Sequence, residues 1–279
     1  MSTTDSAVCA ICPHHCRLRE GQYGRCGARV ARGGAVVLAA PGRLSSLALD
    51  PVEKKPFAAW QSGRTILSVG QYGCNMRCPF CQNHSIAQVR DPAPAGRRVA
   101  AHELRDEALR LRSRRNVGLC FTYNEPLIAM EYVREAFTLA REAGLLTALV
   151  TNGCVTAAGR APLLPLTDAW NIDLKCFTVE GYRRLGGDLD AVRDTIEAAA
   201  ATAHVEVTTL VVPGFNDSPD EIDALAAWLA SVRPDIPLHL TRFFPQHRLT
   251  DRPPTPIPTL TALRDIARRH LSQVLLGNV

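Results

Sequence analysis

The chain has no apolar run approaching the ~18 residues that cross a bilayer as a helix. Its polar start, Met1 to Ala7, lacks the basic segment and apolar stretch of a secretory signal. Both absences point to a cytoplasmic protein in a reducing compartment, where ten cysteines serve metals rather than disulfides. Gly-x-Ser-x-Gly, P-loop and Gly-x-Gly-x-x-Gly patterns are missing too, so hydrolase and nucleotide-binding Rossmann readings have no residues to rest on. Nucleic-acid binding fares no better. The net charge of +5 comes from scattered arginines such as Arg97-Arg98 and Arg268-Arg269, with no basic stretch interleaved with aromatics. Such a mildly positive surface suits an anionic substrate or an acidic electron donor.

What the chain does have is Ile66-Leu67-Ser68-Val69-Gly70-Gln71-Tyr72-Gly73 followed by Cys74, Cys78 and Cys81. A short β-prone run ends in glycines and opens into cysteines spaced CxxxCxxC, so the thiols belong on a loop at a strand's C-terminal end. Soft sulfur ligands at this density suit an iron–sulfur cluster or zinc. Ferredoxin-type clusters take four cysteines, and the next one here, Cys120, is far outside the loop. A cluster held by three would leave one iron open to a small molecule. Zinc is the other reading, with His84 completing a Cys3His set.

Residues 1–60 form a compositional zone of their own. Cys9, Cys12, Cys16 and Cys26 lie among turn-forming glycines, with Pro13, His14 and His15 between them. Ala35–Ala40 and Leu44–Leu49 read as two short strands of a hairpin-like unit. A segment this small and glycine-rich needs a staple, and the four cysteines supply a second candidate metal site, for zinc or iron–sulfur.

Residues 61–279 alternate strand and helix. Candidate strands are Thr65–Val69, Val117–Thr122, Leu146–Thr151, Ala169–Leu174, His204–Val212 and Pro237–Phe243, with a short last one at Gln273–Leu276. Amphipathic helices lie between them: Pro126 to Ala143, one opened by Ser218-Pro219-Asp220-Glu221 as a capping box, and Thr259–His270. Repeated βα units make a parallel sheet, closed as a barrel or doubly wound, whose chemistry collects at the strands' C-terminal ends. There the sequence places Asn124 and Glu125, which are also plausible as a helix N-terminus. Asp173 and Lys175, two apart on an extended segment, share a face and read as a buried pair. His239 alternates with Leu238 and Leu240 and reads equally as a core histidine or a ligand contact. Cys120, Cys154 and Cys176 are buried small hydrophobes by default.

These residues together resemble the radical SAM superfamily. Its CxxxCxΦC loop, Φ aromatic, corresponds to Cys74, Cys78, Phe80 and Cys81. Within it the chain is similar to activating enzymes of the pyruvate formate-lyase type and, more closely, to the radical SAM enzyme of the AmmeMemoRadiSam system. The similar pieces include Cys12-Pro13-His14-His15-Cys16, Asp50-Pro51-Val52-Glu53-Lys54-Lys55-Pro56, Tyr123-Asn124-Glu125-Pro126, Asp173-Leu174-Lys175, Pro213-Gly214-Phe215-Asn216-Asp217 and Thr241-Arg242-Phe243-Phe244-Pro245.

The resemblance implies a partial (β/α)6 TIM-like barrel behind a small Cys-rich module. It implies a four-iron four-sulfur cluster on Cys74, Cys78 and Cys81, with S-adenosylmethionine (SAM) on the open iron. Phe80 would lie against the adenine, Asn124 and Glu125 would meet the methionine amino group, and Asp173 and Lys175 the ribose and carboxylate side. A flavodoxin or ferredoxin would supply electrons, and a protein substrate or partner is in keeping with such systems. Three positions depart from relatives: Asn124 replaces a glycine, Val150 stands where formate-lyase activators carry aspartate and Thr208 where they carry arginine. Three readings therefore stand: a radical SAM enzyme on an unidentified substrate, an activator that installs a glycyl radical, or a zinc-stapled structural module.

Overall fold

A computed structural model of the chain describes residues 6–89 and 96–279. Of the polar start, only Ser6 and Ala7 are among them. The first elements are β1 (Ala7–Val8), β2 (Arg17–Leu18), β3 (Arg29–Arg32), β4 (Ala35–Leu38) and β5 (Ser46–Pro51). β1 pairs with β2 and β3 with β4, both antiparallel. The hairpin expected between 35–40 and 44–49 does not form. Gly33 and Gly34, at φ 58° and 79°, make a two-residue turn joining β3 to β4. Positive φ at both central positions matches the twist of the flanking strands. β5 instead pairs antiparallel with β6 (Thr65–Gly70), in register Asp50 to Ile66.

Beyond β6 come α1 (His84–Ala87), α2 (Ala101–Arg110), β7 (Asn116–Thr122), α3 (Met130–Glu142) and β8 (Leu146–Thr151). They are followed by α4 (Ala157–Arg160), β9 (Ala169–Asp173), α5 (Val179–Leu185), α6 (Leu189–Ala200) and β10 (His204–Val211). The last elements are α7 (Pro219–Val232), β11 (Leu238–Arg242), α8 (Ile257–Ala267) and β12 (Val274–Gly277). The eight-stranded sheet runs β12-β11-β10-β9-β8-β7-β6-β5, parallel throughout except at β5. This is a partial barrel, with β5 and β12 as its two edges.

Two helix starts differ from the sequence reading. Pro126–Ala129 is a 3-10 turn ahead of α3, because the Glu125 side chain takes the Leu127 N–H. At α7, Ser218 makes no side-chain cap bond, and Glu221 accepts the Phe177 N–H at 2.6 Å instead. A tertiary donor has outcompeted the local capping box. The apolar stripe of α7 still buries Ile222, Leu225, Ala226 and Leu229.

An unclosed barrel has an interior to fill. Here the chain between β5 and β6 fills it from below, burying Val52 and Phe57 against Ile66, Cys120, Ala148 and Ala169. Ala58 and Ala59 donate their N–H groups to Glu206 of β10, each at 2.9 Å. His204 and His239 bring their Nε2 atoms to the same carboxylate, at 2.9 and 2.6 Å. Glu206, fully buried, thus has four partners, as a buried charge requires.

Candidate active site

Alternate residues of a strand share a face. Thr122, Val150, Asp173, Thr208, Leu210 and Thr241 accordingly line one cavity of about 370 Å³ at the C-terminal end of the sheet. Cys74, Cys78 and Cys81 line it as well, together with Phe80, Asn124, Glu125 and Lys175. Residues that were separate motifs in the sequence thus share one space. His239 is not among the lining residues, because its ring is held below the cavity by Glu206.

The cysteine loop is anchored along its length. Gly73 turns at φ 91° and donates its N–H to Ile86. A side chain there would meet the Cys26 carbonyl at 2.5 Å, so the close approach requires glycine. Arg77 reaches back to the carbonyls of Cys74 and Met76, at 2.7 and 2.9 Å. Cys74 Sγ accepts from the Met76 N–H and from Asn152 Nδ2, both at 3.4 Å. His84 Nδ1 is bonded to the Cys81 carbonyl at 3.2 Å and its ring stacks on His247 with centroids 4.1 Å apart.

Burial pushes the Cys78 thiol up to about 11 and raises Cys74 and Cys81 as well. Lys175 opposes that rise at Cys78 and Cys81. The Lys175 ammonium in turn pairs with Asp173 at 2.9 Å. Asn124 has its side chain committed to the cysteine loop: Nδ2 donates to the Gly73 carbonyl at 3.1 Å and Oδ1 accepts the Gln71 N–H at 3.0 Å. Glu125 accepts from Thr151 Oγ1 at 2.6 Å and from the N–H groups of Asn152 and Leu127 at 2.7 and 2.9 Å. Burial nonetheless pushes its carboxyl up to about 7. Phe80, nearly buried, faces Phe215 with centroids 6.0 Å apart.

Several site contacts escaped sequence reasoning, although the residues lie in recognisable pieces. Asn75 and Asn152 link their side chains at 3.0 Å and tie the cysteine loop to the end of β8. Tyr123, in a left-handed conformation at φ 73°, donates its hydroxyl to Asp50 at 2.7 Å. Lys55 bonds the same carboxylate at 2.9 Å and sits over the Tyr123 ring. Burial alone would raise Asp50, but Lys55 and Tyr123 hold it well below the usual carboxylate range. The Asp50 to Pro56 stretch was visible as a resemblance, without any role.

The N-terminal cysteines sit directly against the cysteine loop. Cys9, Cys12 and Cys26 are buried and Cys16 is half-buried, all as free thiols. The Cys74 N–H donates to the Cys26 carbonyl at 3.2 Å, and His14 Nε2 meets the Asn75 carbonyl at 2.9 Å.

The sequence model of the radical SAM superfamily matches residues 68–229. The chain belongs to this superfamily. An uncharacterized protein of Methanocaldococcus jannaschii is 36% identical over 279 residues, covering 97% of this chain and 81% of that one. The pyruvate formate-lyase 1-activating enzyme of Escherichia coli K12 is 30% identical over 162 residues, 55% of this chain and 63% of the enzyme. The benzylsuccinate synthase activating enzyme of Thauera aromatica is 27% identical, over 66% of this chain and 56% of that enzyme. In fold, the chain is similar to SuiB of Streptococcus suis bound to S-adenosylmethionine, with a TM-score of 0.58 at 13% identity over 74% of this chain and 48% of that one. No helix among the described residues is long and apolar enough to cross a membrane.

A radical SAM protein carries a four-iron four-sulfur cluster and SAM. The donor set fits this. Three thiols on one cavity wall, with the Lys175 ammonium favouring ionisation of two of them, suit an anionic group.

Proposed function

We propose that the chain is a radical SAM enzyme whose cluster is held by Cys74, Cys78 and Cys81. Bound there, the cluster and SAM would supply reductive cleavage of SAM and hydrogen-atom abstraction from substrate. The carrying observation is that these cysteines share one cavity with Glu125, Asp173 and Lys175, and no fourth ligand comes from the loop.

The protein's part is binding, orientation and exclusion of water. Lys175 places a cation beside Cys78 and Cys81, where it offsets the negative charge of bound thiolates. Asp173 holds that ammonium and stays partly open to the cavity, ready for a ribose hydroxyl. Glu125, stripped of water, is a fitting partner for an ammonium group, whose charge would return the carboxyl to its ionised form. Asn124 works on the loop's backbone rather than on the cofactor. Phe80 offers an apolar face for adenine. The segment beneath the cavity, with Lys54 and Pro56 on its wall, shuts off water from below.

Electrons would come from a flavodoxin or ferredoxin in the cytoplasm, and the substrate or partner is a protein on the pattern of the activating enzymes. Glycyl-radical activation is a second reading, supported by the matched activating enzymes. Against it, Val150 and Thr208 both line the cavity where the activators carry charged residues. Anaerobic reconstitution with iron, sulfide, SAM and dithionite should yield 5′-deoxyadenosine, and Cys78→Ala should abolish it. Unchanged product in that variant, or a colourless protein carrying zinc, would sink the proposal.

A further inference from the structure

The four N-terminal cysteines have no part in the chemistry described so far, yet they are built as a site. Cys9, Cys12 and Cys26 are buried, all four are free thiols, and the Cys9 N–H reaches the Cys16 carbonyl at 3.0 Å. The turn between Cys12 and Cys16 closes with the His15 N–H on the Cys12 carbonyl at 3.1 Å, His15 adopting φ 41°. The thiols of Cys26, Cys9 and Cys16 all lie close to Cys12. Cys154 also approaches Cys12, but its sulfur takes the Asp188 N–H at 3.3 Å. The module's own elements are two two-residue strands and one hairpin of four-residue strands. Elements that short do not hold such a module together by apolar burial alone.

The place of the module decides what fills the site. It is docked on the very loop that the proposed function makes the cluster loop. Cys26 and Cys74 share a backbone hydrogen bond of 3.2 Å, and His14 bonds the Asn75 carbonyl. A staple for folding has no reason to sit there. Outside, Cys16 is the least buried of the four, and Arg17, Arg19 and Arg25, nearby in the chain, are exposed. That gives an acidic electron donor a place to dock.

We infer that Cys9, Cys12, Cys16 and Cys26 hold a second iron–sulfur cluster that passes electrons to the cluster at Cys74, Cys78 and Cys81 across the Cys26–Cys74 contact. One electron leaves a reduced flavodoxin- or ferredoxin-type donor, reduces the N-terminal cluster, and moves on to the cavity cluster. The N-terminal cluster returns to its oxidised form, and no bond forms or breaks. The inference rests on the proposed function.

The test is an iron and acid-labile sulfide count on the full chain purified without oxygen. Wild type should hold about eight of each, and both Cys78→Ala and Cys12→Ser/Cys16→Ser about four. Cys78→Ala leaves the N-terminal site intact, so it should stay brown and give the electron paramagnetic resonance signal of a reduced cluster. A colourless Cys78→Ala protein carrying zinc overturns the cluster, whatever becomes of the serine variant. In Cys12→Ser/Cys16→Ser, 5′-deoxyadenosine formation driven by flavodoxin should be lost while that driven by dithionite persists. Equal loss with both reductants overturns the relay. Wild type that holds both clusters yet never cleaves SAM sinks the proposed function instead, leaving the N-terminal cluster standing.

Discussion

Asn171 of β9 donates its Nδ2–H to the Pro56 carbonyl at 2.8 Å, and Thr208 of β10 donates its hydroxyl to Asn171 Oδ1 at 3.0 Å. Two neighbouring barrel strands thus grip a segment that belongs to neither. The segment supplies what the open barrel lacks, a filled lower interior and a floor for the cavity above. The site is built jointly by the strand ends and by chain that precedes the first parallel strand.

Phe57 is the apolar centre of this filling, fully buried among Ile66, Cys120, Ala148 and Ala169. Phe57→Ala should leave a cavity that the rigid strands around it cannot close. The expected loss is about 3–5 kcal/mol of unfolding free energy, measured by urea denaturation. A loss well under 1 kcal/mol would mean that the segment is not part of the cooperative core.

Glu206 makes the same segment acid-sensitive. Burial would raise its carboxyl, but the contacts from His204, His239, Ala58 and Ala59 hold it down at about 2, against an ordinary value of 4.5. A depressed folded-state pKa contributes stability above the unfolded value and loses it as pH falls from about 4.5 toward 2. At neutral pH the contribution is up to about 3 kcal/mol. Glu206→Gln should therefore be markedly less stable than wild type at pH 7, and the gap should narrow as the pH is lowered through that window. A gap that stays constant in thermal unfolding across the same range would refute the assignment.

The sequence was legible where local pattern alone decides the structure. Leu146–Thr151 is a strand to the residue because a strand covered on both faces reads as a continuous apolar run. The cysteine loop showed itself through spacing, and the Asp173–Lys175 pair through strand periodicity. What stayed hidden depends on partners far along the chain. Glu206 reads as a polar residue in a strand until Ala58, 148 positions earlier, is brought to it. Asn75 and Asn152 stand at polar loop and strand ends, but nothing local pairs them across 77 positions. Alternation alone could not choose which short N-terminal strands pair, but the local Gly33–Gly34 turn carries the choice.

Arg29 fastens the N-terminal module to the barrel. Its guanidinium is almost wholly buried and makes bonds of 2.6 and 2.9 Å to the two oxygens of Glu131 on α3, with further bonds to the carbonyls of Ile128 and Val36. Arg29→Met keeps the length of the side chain and removes every donor. Breaking such a pair from its buried side should cost about 3 kcal/mol. Limited proteolysis should then cut within residues 6–43 while the barrel remains intact. Resistance equal to wild type would show that other contacts hold the module.

Lys175 links charge to cofactor. Its ammonium favours ionisation at both Cys78 and Cys81, and Asp173 beside it carries the opposing sign. Lys175→Met removes the cation and leaves Asp173 facing the thiols. In the metal-free protein, the two thiols should then alkylate more slowly with iodoacetamide at pH 8–9, because the reactive form is the thiolate. In the anaerobically loaded protein, SAM should bind at least about tenfold more weakly, since an anionic carboxylate approaching the site would meet Asp173 uncompensated. Lys175→Arg should recover much of the alkylation rate, as it restores the charge, but less of the affinity, as the forked guanidinium cannot take the compact place of an ammonium. SAM affinity unchanged in Lys175→Met would remove this residue from the cofactor's surroundings.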